Sequence, residues 1–101
     1  MNYCTPGQFP KEELYGIISQ LRRAALSVIL NYIEGYARTS DKQLKNFLNI
    51  SYGSLKESKY LLFFAYREKY INKKDYDELI NLAEEIGAML WTTIKGLKEK
   101  C

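Results

Sequence analysis

The chain contains no histidine, so any acid-base chemistry would rest on carboxylates, and the candidates are Glu34, Glu57, Glu84 and Glu85. Carboxylates act together on a proton or a metal only when their helices present them to one cavity. Placed at about 100° per residue, most of the four fall off the core faces of their helices, and solvated charge is the plainer account. Without histidine the usual proton shuttle, the Glu-x-x-His pairs of di-iron bundles and a histidine-bearing ribonuclease site are all excluded. No Gly-rich phosphate loop or activated Ser or Cys pattern is present. Cys4 and Cys101 sit near opposite ends without CxxC spacing, which argues against zinc or a disulfide scaffold and for free thiols. The expectation is a protein that is not an enzyme and uses no cofactor or metal.

The remaining candidates are for binding. Arg22 and Arg23 diverge by about 100° on a helix and cannot clamp one ligand together. Arg22 borders an apolar stripe, while Arg23 joins Gln20, Ser27, Asn31, Glu34 and Arg38 on a polar ridge of mixed sign. Such a ridge suits the registration of packed helices or subunits better than phosphate binding. Two basic groups surround the turns: Arg38, Lys42 and Lys45 at the first, and Arg67, Lys69, Lys73 and Lys74 at the second. Tyr66 and Tyr70 interleave with the second, so the groups are candidate RNA or DNA contacts that grip a backbone and stack a base. Ordinary solvated helix ends are the alternative.

These residues are positioned by helices. The chain has 101 residues, 47% hydrophobic and 27% charged, with a formal net charge of +3, which fits one globular domain that is only mildly basic. Residues 1–9 read as an irregular leader. Pro10, Glu12 and Glu13 suit a first turn, so the first helix is expected over 10–37. Ser40 followed by Gln43 is a capping-box pattern for a second helix over 41–69, and Asn72 can cap a third over 73–97, leaving a tail at 99–101. Short connections make consecutive helices antiparallel, giving an all-α, up-down bundle over 10–98. The leader lacks the pattern of a secretory signal and no stretch approaches a membrane span, so the chain reads as cytoplasmic with no membrane partner.

The helices carry more apolar surface than three of them can share. On the first, Leu14, Ile17, Ile18, Leu21, Ala25, Val28, Ile29, Tyr32 and Tyr36 form the expected core face, yet Leu26, Leu30 and Ile33 lie beyond it. On the second, Leu44, Phe47, Leu48, Ser51, Leu55, Ser58, Leu62, Ala65 and Tyr66 face inward, while Ile50, Tyr60, Leu61 and Phe64 cluster behind them around Gly53 and Glu57. The third turns Leu79, Leu82, Ala83, Ile86, Leu90, Ile94 and Leu97 inward, with Met89 and Trp91 toward its flanks. Covering even a few such side chains contributes several kcal/mol at about 25 cal/mol per Å². Self-association is the first inference, with Leu26, Leu30, Ile33, Ile50, Tyr60, Leu61, Phe64 and Trp91 as the candidate oligomer or partner interface. A larger intramolecular core flanked by these residues is the alternative.

The motifs FPKEELYG (9–16), SQLRRAALSV (19–28), NYIEGYAR (31–38) and FLNISYGSLKES (47–58) resemble the four-helix-bundle proteins encoded by intervening sequences of bacterial large-subunit ribosomal RNA genes. The resemblance runs from Phe9 onward and implies an antiparallel bundle assembled as a homopentameric ring. It extends to accessory proteins of diversity-generating retroelements, and so implies a reverse transcriptase or another protein, and nucleic acid, as partners. It marks Arg22, Arg23, Asn31, Glu34, Gly35, Arg38, Gly53, Ser54 and Glu57 as family-like positions, none of them catalytic. Members of that family place another amphipathic helix before the FP-x-EE segment. Here only MNYCTPGQ precedes it, so either the chain is a shortened form or its true start lies upstream; a missing first helix leaves a vacant groove that an amphipathic helix from a partner fills, or around which the oligomer rearranges.

Overall fold

A computed structural model of the chain describes the backbone of residues 9–100 and the side chains of residues 14–97. The described residues form three antiparallel helices and no strand: α1 (Phe9–Tyr36), α2 (Asp41–Arg67) and α3 (Lys73–Lys100). Phe9 belongs to α1 and not to a leader, and α3 continues through Glu99 and Lys100, which were expected in a tail. The expected irregular leader over 1–8 and the free thiols of Cys4 and Cys101 lie outside the described residues.

The helix ends follow from local chemistry. Ser40 sits in the extended region (φ −111°, ψ 143°) and its Oγ accepts from the Gln43 N–H at 3.1 Å, capping α2. Asn72 Oδ1 accepts from the Asp75 N–H at 2.7 Å and caps α3 in the same way. At the far end of α2, the Tyr70 N–H bonds the Ala65 carbonyl at 2.8 Å and the Lys69 N–H bonds the Tyr66 carbonyl at 2.9 Å. That is a Schellman motif, which requires a left-handed residue, and Lys69 occupies it with φ 67°.

The three helices do not close into a triangle. α2 lies between the others, and among the described residues no α1 Cα comes within 8 Å of an α3 Cα. Two apolar clusters result. Ile17 and Ala24 of α1 pack on Leu61 and Ala65 of α2, with Leu21, Phe64, Tyr70 and Ile71 around them. Leu48 and Leu55 of α2 pack on Ala83, Leu90, Ile94 and Leu97 of α3, with Val28 reaching in from α1.

The faces of α2 and most of α3 match the sequence pattern, but α1 is rotated. Its buried line runs through Ile17, Ala24 and Gly35, with Leu14, Leu21, Ser27, Val28 and Asn31 half-buried. Ile18, Ala25, Ile29, Tyr32 and Tyr36 of the expected core face are exposed instead. Small residues decide this, because they let backbones approach. A Cβ on Gly35 would stand 3.1 Å from both Leu44 Cδ1 and Phe47 Cβ. Leu79 and Leu82 are likewise exposed on α3, whereas Leu61, placed on the outer surface by its wheel position, is only 6% exposed.

Candidate functional site

Along the α1–α2 seam the polar ridge of α1 meets the small residues of α2. Ser27 and Ser54 share a hydrogen bond between their Oγ atoms at 2.7 Å, and Asn31 Nδ2 donates to Ser27 Oγ at 3.0 Å and to the Ser27 carbonyl at 2.8 Å. Ser51, fully buried, donates to the Val28 carbonyl at 2.7 Å. Gln20, Arg23, Ala24, Ser27, Ser54 and Glu57 line a polar pocket of ≈ 410 Å³. The structure therefore joins Arg23, Ser54 and Glu57 with Gln20 and Ser27, and holds Asn31 one turn away. Arg22 is exposed apart from them. Glu34 and Arg38 pair at 2.7 Å, and the Arg38 guanidinium lies 4.9 Å from the Phe47 ring centroid. Gly53 is exposed, with nothing within 4 Å of where a Cβ would stand.

On the opposite side, between α1 and α3, lies an apolar groove of ≈ 700 Å³ whose floor includes Ser51 of α2. Val28, Ile29 and Tyr32 form one wall, and Ile86, Met89 and Thr93 are on the other. The hydroxyls of Thr92 and Thr93 donate to the Ala88 and Met89 carbonyls of their own helix, so the α3 wall offers few free polar groups. Tyr32, at the groove edge, meets Tyr36 with ring centroids 4.9 Å apart and planes tilted by 54°. Tyr36 is held above the usual tyrosine pKa, first by desolvation and then by the charge and hydrogen bonding of Tyr32.

The expected interface residues separate into two groups. Leu26, Leu30, Ile33, Ile50, Tyr60 and Trp91 are exposed. Leu61 is buried and Phe64 half-buried in the α1–α2 core, so neither offers an open surface, because the rotation of α1 brings Ile17 and Ala24 over them. The basic turns stand at opposite ends of the bundle, as the antiparallel order requires. Arg38 is engaged with Glu34, and Lys73 with Asp77 at 3.0 Å, which raises the Lys73 pKa through that hydrogen bond and charge. Tyr66 stacks on Tyr76 at 4.7 Å and so is not free to take a base on that face. Lys42, Arg67, Lys69 and Lys74 are exposed and Lys45 half-buried.

Wheel arguments on single helices miss one cluster. Tyr52 of α2 meets Trp91 of α3 at 5.9 Å, with Lys56 Nζ 5.5 Å from the Tyr52 centroid. Only the Tyr52/Lys56 spacing is visible in sequence; Trp91 joins through the register of α3. No group of three or more His, Cys, Asp or Glu that could hold a metal occurs among the described residues, and no helix there is long and apolar enough to cross a membrane.

The chain matches the 23S rRNA-intervening sequence protein family over residues 2–92. It belongs to that family. Among solved structures it is similar to a protein of unknown function from the S23 ribosomal protein family of Bacteroides thetaiotaomicron, with 29% identity and a TM-score of 0.77. The similarity covers 78% of this chain and 70% of that one. No curated protein matches. The family-like residues divide between the α1–α2 seam, the Gly35 contact, the exposed Glu34–Arg38 pair and the exposed positions Arg22 and Gly53.

Proposed function

We propose that the protein is a non-enzymatic helical scaffold that self-associates through the apolar surface left open along α1 and α3. The apolar groove between these helices carries the reading. Ile29, Tyr32 and Met89 are 55%, 47% and 65% exposed beside it, and Leu26, Leu30 and Ile33 extend the surface around α1. A stable interface removes about 800 Å² per partner from water, so it must draw on the exposed α1 residues as well as the groove. An interface between unlike faces closes into a ring when its rotation closes, which accommodates the homopentamer implied by the family resemblance.

Light scattering on the purified chain at micromolar concentration tests this. A discrete oligomer is expected, with Ile29→Lys combined with Met89→Lys shifting it toward the monomer; a clean monomer would sink the reading. A second reading is favoured by the apolar lining of the groove: an amphipathic helix of another protein occupies it. A stoichiometric foreign protein copurifying with monomeric chain, and lost in the same double variant, selects that second reading. Nucleic-acid binding through the turns would rest on Lys42, Lys45, Arg67, Lys69 and Lys74, since Arg38 and Lys73 are already paired.

A further inference from the structure

The α2–α3 seam carries a feature independent of the groove. Tyr52 and Trp91 meet there with centroids 5.9 Å apart and planes tilted by 35°, and Trp91 remains 49% exposed. Gly87 lets α3 close on α2 beside Tyr52: a Cβ there would stand 3.2 Å from Leu55 Cδ2 and 3.9 Å from Tyr52 Cε1.

The cations around these rings are ordered. Lys45, Tyr52 and Lys56 share one side of α2, and Lys45 and Lys56 are about 16 Å apart along it at about 1.5 Å per residue. The Tyr52–Trp91 contact and the Lys59–Glu84 pair, 3.2 Å, share one antiparallel register, which sets Lys95 opposite Leu48 and one turn from Trp91. Glu84 is neutralised by Lys59, and Asp41 lies exposed one turn before Lys45. No ion pair engages Lys45, Lys56 or Lys95 among the described residues. Aromatic rings flanked by unpaired lysines, at a spacing that spans two or three nucleotides, are the elements of a single-strand platform, where bases stack and phosphates meet charge. An apolar partner would leave the lysines desolvated and unpaired.

We propose that the Tyr52–Trp91 strip binds single-stranded nucleic acid without sequence preference. Because Trp91 is the sole tryptophan in the sequence, its fluorescence reads the site directly. The full chain is titrated at low salt with an oligothymidylate of about twelve nucleotides. Quenching of Trp91 is expected, with affinity falling in a log–log salt plot at a slope of about −2, as for roughly three phosphate contacts on a single strand. Lys56→Glu with Lys95→Glu should weaken binding at least about tenfold, and the milder Lys56→Gln with Lys95→Gln by a few-fold. Absence of quenching, or affinity unchanged in both Lys56/Lys95 variants, overturns the proposal. So does equal quenching by polyglutamate, which would assign the strip to an acidic polypeptide. Light scattering on the same samples reports self-association separately.

Discussion

Gly35→Ala sets two opposite effects against each other. Alanine gains about 0.5–1 kcal/mol over glycine in a helix interior. At Gly35 the new methyl meets Leu44 Cδ1 and Phe47 Cβ, each at 3.1 Å, and the Leu44 carbonyl at 3.4 Å. The leucine tip can turn away, but Phe47 Cβ is fixed to the α2 backbone, so the helices must separate there. Overpacking of this kind costs about 1–3 kcal/mol, leaving a net loss near 1 kcal/mol. For a domain of this size that lowers the Tm by about 4–8 °C. Gly53→Ala is the matched control, since nothing lies within 4 Å of its new methyl, and it should gain about 0.5–1 kcal/mol. Urea unfolding followed by circular dichroism at one fixed protein concentration should separate the two variants by about 2 kcal/mol with equal m values. An equal gain in both variants would refute the account of α1–α2 packing.

Lys69→Gly should raise stability by about 0.5–1 kcal/mol, because φ 67° strains a side chain but not glycine; a lower urea midpoint would contradict the Schellman assignment. Ser40→Ala and Asn72→Ala should each cost about 1 kcal/mol through lost caps, and Ser40→Gly much less. Tyr36 has a folded pKa above its ordinary 10.0, so the unfolded chain binds fewer protons as pH rises past 10. Stability should decline there with increasing pH, and Tyr36→Phe should flatten that part of the curve in pH-dependent thermal melts.

The three helices and both caps were legible in the sequence because each rests on local chemistry: Ser40 before Gln43, Asn72 before Asp75, and apolar residues at helical spacing. On α2 the inward face was legible too, down to Ser51 and Ser58, which are buried. On α1 a hydrophobic wheel favours the bulkiest stripe, whereas backbone approach favours the smallest residues. Ala24, Ser27 and Gly35 therefore set the contact line, leaving Ile29 and Tyr32 outside it. The same contact buries Leu61, which no pattern within α2 marks. Among the candidate site residues, the Arg23–Ser54–Glu57 grouping needs the pairing of two helices, and the Tyr52–Trp91 strip needs a register between two more.

The absence of any close backbone approach between α1 and α3 among the described residues also bears on how the protein comes apart. Releasing α3 dissolves the cluster around Leu90 and Ile94, yet leaves Ile17, Ala24, Leu61 and Ala65 packed together. The α1–α2 hairpin can thus persist as a foldon while the C-terminal helix opens, and amides of α3 would exchange with solvent at lower free energy than those of central α2. A chain built this way can lend or trade one outer helix without unravelling the other.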